Sequence, residues 1–199
     1  MGVCHIISAG DVTVLPEVKE GDLVIACDAG FEKLGGITPD VFVGDGDSLG
    51  YIPYGVEAVK LPVVKDDTDT AAAVKIGLSR GYRSFRLYGA LGGRRFSHSI
   101  ANLTLLSYIN DAGGDGVIVD KYCTVRLIPE GGAREIAGCR YFSLFPVGGA
   151  AEVEITGAKY PGRAALSPAF PLGVSNEPYE GCAVKVLSGS ALLVEETED

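Results

Sequence analysis

The chain has 199 residues, 47% of them hydrophobic, and a formal net charge of −9 at pH 7. That size and composition describe a globular chain with material for one large domain or two small ones, and the acidic balance argues against nucleic acid or anionic membrane as partner, since both need a basic footprint. No run approaches the roughly 18 apolar residues of a membrane span, and Met1–Gly10 lacks the basic and apolar regions of a secretory signal.

The first 120 or so residues alternate short apolar runs with amphipathic segments. Val3–Ile7, Leu23–Cys27, Val41–Val43, Ala58–Leu61, Phe85–Tyr88 and Val117–Val119 read as buried strands. Thr68–Ser79 has apolar residues at helical spacing, with Thr68 as N-cap and Gly81 as C-terminal stop, and Ser97–Asn110 reads as a second helix. Strands alternating with helices predict a Rossmann-like α/β domain over 1–121, its mainly parallel sheet covered on both faces. Beyond Tyr122 the pattern changes. Cys123–Ile128, Tyr141–Phe145, Ala151–Ile155, Ala183–Leu187 and Ala191–Val194 are strand-like runs divided by Gly, Pro and Ser, with Ser188-Gly189-Ser190 as a tight hairpin loop. They predict an all-β domain over 122–199, a β-sandwich. The five cysteines (Cys4, Cys27, Cys123, Cys139 and Cys182) are widely spaced and mostly flanked by apolar residues, which suits buried, reduced thiols in a cytoplasmic protein.

In an open parallel sheet, ligands bind beyond the carboxyl ends of the strands, and four polar clusters fall there. Asp28-Ala29-Gly30 follows Cys27. Asp45 and Asp47, separated by Gly46, follow Val43; two such close anions repel unless a cation lies between them. Lys65-Asp66-Asp67-Thr68-Asp69 opens the first helix, and Gly89–Arg95, with Gly92, Gly93, Arg94 and Arg95, leads into the helix carrying His98 and Asn102. The carboxylates suit Mg²⁺, while the glycines and arginines suit phosphate oxygens. Together they predict a site for a magnesium–nucleoside polyphosphate. Against this, at least one of Asp66 and Asp67 complements the helix dipole, and His98, inside the second helix, reads as a structural hydrogen-bonding group rather than a general base.

The ordered set Asp28-Ala29-Gly30, Gly44-Asp45-Gly46-Asp47-Ser48, Lys65-Asp66-Asp67-Thr68-Asp69, Gly92-Gly93-Arg94, His98, Ala101-Asn102, Gly157-Ala158-Lys159-Tyr160 and Ser175-Asn176 resembles the thiamine pyrophosphokinase family across nearly the whole chain. The resemblance implies an N-terminal α/β domain, a C-terminal β-sandwich, and a homodimer with active sites at the subunit interface. It implies transfer of pyrophosphate from ATP to the hydroxyl of thiamine, giving thiamine diphosphate and AMP. Asp45, Asp47 and Asp69 would hold Mg²⁺, with Asp28 close by; Lys65 and Asp66 belong to the catalytic segment. Gly30, Thr68, Gly92, Gly93, Arg94, Arg95, His98 and Asn102 would receive ATP, and Ser175 and Asn176 would lie at the thiamine pocket. The chain departs from the family pattern at Ala29, at Ser97 where an aspartate is usual, and in a spacing that lets either Arg94 or Arg95 be the family arginine. It has no tryptophan, so Tyr160 and Tyr179 are the candidates for stacking on thiamine. The rival readings are pyrophosphoryl transfer to another hydroxymethyl heterocycle, such as a pterin, and a sensor that binds nucleotide or thiamine without turnover.

Overall fold

Uninterrupted apolar runs form central strands here because a parallel sheet with both faces covered offers no solvent side for polar residues. The computed structural model describes residues 2–46, 49–61 and 67–197, and the chain divides into two compact units, Met1–Asp120 and Lys121–Asp199. Four residues of the expected site region, Asp47, Ser48, Lys65 and Asp66, lie outside the described residues.

The first unit contains β1 (Val3–Ile7), β2 (Leu23–Cys27), β3 (Val41–Gly44), β4 (Glu57–Lys60), β5 (Ser84–Tyr88) and β6 (Asp115–Val119), with α1 (Asp69–Ser79) and α2 (Phe96–Asp111). Its strand order is β4-β3-β2-β1-β5-β6, and each neighbouring pair is parallel. The chain therefore builds outward from β1 to β4, then crosses back to continue on the other side of β1. The chain after β1 passes to one face of the sheet, where Val12 packs, and the chain after β5 leads into α2.

Cys4, Phe85 and Gly116 sit in one row of the sheet. Both helices cover that row's face. A methyl group added at Gly77 of α1 would lie 2.6 Å from the Phe85 ring and 2.9 Å from Cys4 Sγ, and one added at Gly116 would lie 2.9 Å from Ile109 of α2. The opposite face carries Ile7, Val24 and Ala26, packed with Val12, Phe31, Leu34 and Ile37. Part of this cover is a 3-10 helical segment, Asp28–Lys33, which the sequence pattern did not reveal. The expected buried strand Ala58–Leu61 is instead β4, an edge strand with Glu57, Ala58 and Lys60 exposed. Charged residues on an edge discourage pairing with other chains.

The second unit is β-rich. It comprises β7 (Cys123–Ile128), β8 (Ala133–Glu135), β9 (Tyr141–Pro146), β10 (Ala151–Ala158), β11 (Gly162–Leu166), β12 (Pro178–Ser188) and β13 (Ala191–Glu196). β13 pairs antiparallel with β7 and β9, and a second sheet runs β11-β10-β12-β8. Phe142, Leu144 and Leu193 from the first group share one core with Val153, Val184 and Val186 from the second. Ser188-Gly189-Ser190 is not a hairpin loop, because β12 and β13 belong to different sheets. It crosses between them with Gly189 at φ +72, where a methyl group would meet the Ala150 carbonyl oxygen at 2.5 Å. The close approach, rather than a turn between paired strands, is what demands glycine there.

A polar anchor lies among the first unit's apolar strands. Asp22 accepts hydrogen bonds from the Val3 amide (2.7 Å) and the Lys19 amide (2.9 Å), and its Oδ2 lies 3.1 Å from Nε2 of buried His5. Burial by itself raises the Asp22 pKa, but the two amides and the His5 ring outweigh it and hold the carboxyl below its ordinary value. A depressed carboxyl pKa contributes stability above the unfolded value of ~3.9 and loses it as pH falls through the folded value. Asp22→Asn is therefore expected to cost about 1–3 kcal/mol at pH 7, with the difference from wild type closing at acid pH, as the pH falls through the lowered folded value. Urea unfolding at neutral and acid pH measures this; a difference that persists in acid would show that the carboxylate charge is not what the site binds.

Candidate functional site

The four loops that leave β1, β2 and β5 and enter α1 gather around a cavity of about 480 Å³ in the first unit. Its wall takes Ser8, Ala9 and Gly10 from the end of β1 and Cys27, Asp28 and Ala29 from the end of β2. Thr68, Asp69 and Thr70 come from the start of α1, and Gly89, Ala90 and Gly92–Arg95 from the loop after β5; His98 and Asn102 of α2 complete it.

The loops are packed backbone to backbone. A methyl group at Gly30 would sit 2.3 Å from the Ile7 carbonyl oxygen, and one at Gly10 would sit 2.4 Å from that of Gly89. Gly30 thus serves the cavity from behind, by letting the segment after β2 lie against β1. Asp28, buried and in the left-handed region at φ 45, turns the chain from β2 into the 3-10 segment. Aspartate tolerates this conformation better than most side chains.

The start of α1 is shaped by Thr68, whose Oγ1 accepts the Ala71 amide at 3.1 Å. Asp69 follows in the first helical turn, where a carboxylate is favoured by the helix dipole. The Thr70 hydroxyl lies 3.0 Å from that of Ser8, and both are buried. On α2, Asn102 Nδ2 donates to the Ala90 carbonyl at 2.8 Å; its amide holds the glycine loop from within rather than facing outward. Gly93 N donates to Asp11 Oδ2 at 3.1 Å. Arg94 and Arg95 are exposed cations at the rim. Burial and the positive charge of Arg95 lower the His98 pKa, against the opposing pull of Asp69.

Nine expected residues thus share one wall: Asp28, Thr68, Asp69, Gly92, Gly93, Arg94, Arg95, His98 and Asn102. Asp45 follows β3 directly and is not part of that wall, but Gly44 before it packs against Asp28, a methyl group there meeting the Asp28 Cα at 3.3 Å. Asp47, Lys65 and Asp66 lie outside the described residues. Sequence reasoning missed Ser8-Ala9-Gly10. The signal was present, a polar cluster directly after the apolar run Val3–Ile7, as after the other strands.

In the second unit, Asn176 ties together the segment that holds Tyr160 and Ser175. Its Oδ1 accepts the Tyr160 and Glu177 amides, each at 3.0 Å, and its Nδ2 donates to the Tyr160 carbonyl at 3.0 Å. Its backbone pairs with Phe142 in both directions. So engaged, the buried Asn176 side chain fixes its neighbours. Ser175 is exposed, held at φ 56, and its amide donates to Ser143 Oγ at 3.0 Å. Strained non-glycine backbone of this kind concentrates at functional sites. Tyr160 and Tyr179 are both exposed.

Residues 16–113 match the family model described as thiamin pyrophosphokinase, catalytic domain, and residues 128–193 match that described as thiamin pyrophosphokinase, vitamin B1 binding domain. Among solved structures, the chain is similar to thiamine pyrophosphokinase from Bacillus subtilis (TM-score 0.86, 23% identity, 99% of this chain and 100% of that one). It is also similar to the Geobacillus thermodenitrificans protein (0.83, 24%, 99% and 98%) and the yeast protein (0.76, 16%, 98% and 86%). At these identities the structures speak for the fold alone. No curated protein matches the chain. The two family models together cover most of the sequence, in order and without overlap, and on that ground the chain belongs to the thiamin pyrophosphokinase family.

Proposed function

We propose that the cavity of the first unit receives the polyphosphate of ATP and that the protein transfers its terminal pyrophosphoryl group to the hydroxyl of thiamine. One observation carries this reading. Two carboxylates (Asp28 and Asp69), two rim arginines, a glycine loop and the capped N-terminus of α1 all line a single cavity. It lies at the point where the strand order reverses, the usual ligand position in such sheets. That order supports a Rossmann-like reading of the first unit, as the core shared by two sheets supports a sandwich reading of the second.

The donor set suits magnesium: Asp28, Asp45 and Asp69 offer only hard oxygen, and Asp28 lies against Gly44, the residue before Asp45. Among the described residues, no three His, Cys, Asp or Glu side chains are already gathered as a cation site. Asp45, Asp69 and the undescribed Asp47 are the residues that would hold the ion. Bound magnesium would supply positive charge to the polyphosphate.

The protein's own residues then do the positioning on which phosphoryl transfer chiefly depends. Arg94 and Arg95 present planar donors to phosphate oxygens. The N-terminal end of α1, with its helix dipole, favours an anion. The thiamine oxygen attacks the β-phosphorus; the new O–P bond forms as the bond between that phosphorus and the bridging oxygen of AMP breaks. The hydroxyl proton passes to an aspartate of the Asp66–Asp69 segment. In the second unit, Tyr160 offers an exposed ring for thiamine, braced by Asn176, and Ser175 an exposed hydroxyl. The exposed Tyr160, Phe170, Leu172 and Tyr179 support the expectation of a homodimer that covers them.

Incubation with ATP, Mg²⁺ and thiamine is expected to yield AMP and thiamine diphosphate; ADP with thiamine monophosphate, or no turnover, would overturn the reading. Asp69→Asn is expected to lower kcat/KM on the order of 100-fold or more, and a chelator to abolish turnover until Mg²⁺ is restored. Tyr160→Ala is expected to raise the KM for thiamine roughly 10-fold, the loss of about one stacking contact, with the KM for ATP unchanged in steady-state assays.

A further inference from the structure

We infer that Lys33, which belongs to none of the motif segments and lies outside the cavity wall, is a positioning residue for the nucleotide cavity. The inference rests on the proposed nucleotide reading of that cavity. Lys33 closes the 3-10 segment that begins at Asp28. Its Nζ donates to the Ala9 carbonyl at 2.7 Å and to the Gly10 carbonyl at 2.6 Å. Both acceptors belong to the cavity wall, and Lys33 does not.

The geometry of one peptide group makes the contact consequential. The Ala9 carbonyl and the Gly10 amide share a peptide plane and point in opposite directions. Lys33 holds the oxygen end of that plane, and the Gly89 carbonyl accepts its N–H at 3.0 Å. The plane is clamped between the segment after β2 and the glycine loop after β5. Asp11, next in the chain, takes the Gly93 amide further along that loop. Lys33 therefore fixes the Ser8–Gly10 loop directly and the Gly89–Gly93 loop through it.

There is an electrostatic side as well. Carbonyl oxygens carry partial negative charge, which opposes an incoming polyphosphate. An ammonium bound to two successive carbonyls of the wall offsets that charge and keeps both oxygens turned toward itself. Lysine suits the task because its compact head carries three donors for closely spaced acceptors.

The test is the affinity of Lys33→Met and Lys33→Arg for a non-hydrolysable ATP analogue with Mg²⁺, by calorimetry, together with steady-state kinetics. Lys33→Met keeps the length of the side chain and loses the donor. It is expected to weaken analogue binding and raise the KM for ATP about 10-fold, with the KM for thiamine within about twofold of wild type. Lys33→Arg is expected to recover most of the loss. Lys185→Met, at an exposed position on β12, removes the same charge and is expected to change neither constant. Equal binding by wild type and Lys33→Met overturns the inference while leaving the function standing. So does an equal rise in both KM values, or a loss that Lys33→Arg does not recover. Wild-type protein that fails to bind the analogue overturns the nucleotide reading, and this inference with it.

Discussion

The first unit depends on how closely its loops can approach one another at the ends of β1, β2 and β5. Gly30 lies against the Ile7 carbonyl and Gly10 against that of Gly89, at separations that leave no room for even a methyl group. Backbone packing of this kind is stiff, since it involves no rotatable side chains. It turns three separate loops into one rigid wall, and the polar groups on that wall keep fixed relative positions. A cavity of about 480 Å³ with carboxylates, arginines and a helix N-terminus around it is what this constraint leaves open.

Much of the polar chemistry behind the wall is support. Asn102 holds Ala90, Asp11 holds Gly93, and Thr68 caps α1. Each satisfies a backbone group that would otherwise be free to reorient or costly to bury. The second unit follows the same logic with different parts, since Asn176 spends its amide on the Tyr160 and Glu177 backbone and thereby leaves the Tyr160 ring and the Ser175 hydroxyl displayed. Of the residues singled out in advance, Asn102 and Asn176 thus spend their side-chain amides on neighbouring backbone.

Strain marks the same places. The two non-glycine residues with positive φ among those described are Asp28 and Ser175, one in each unit's candidate site. Such conformations cost of order 1–3 kcal/mol; at Ser175 the amide's hydrogen bond to Ser143 Oγ helps to hold it.

The sequence by itself determined the alternation of strands and helices in the first unit, both helix positions and the Thr68 cap, because these follow from local periodicity and capping chemistry. It determined most of the cavity wall as well, since polar residues directly after apolar runs must fall at strand ends. Only the tertiary structure decided that both helices lie on one face, that Glu57–Lys60 is an exposed edge, and that Ser188-Gly189-Ser190 crosses between sheets. Those outcomes depend on which strands pair, and pairing partners are set by contacts between residues far apart in the chain. β8, with no apolar run of its own to announce it, exists because β12 offers it an edge. Lys33 was illegible for the same reason: a lysine at the end of a short mixed segment gives no sign in sequence of the two carbonyls, more than twenty residues earlier, on which it closes.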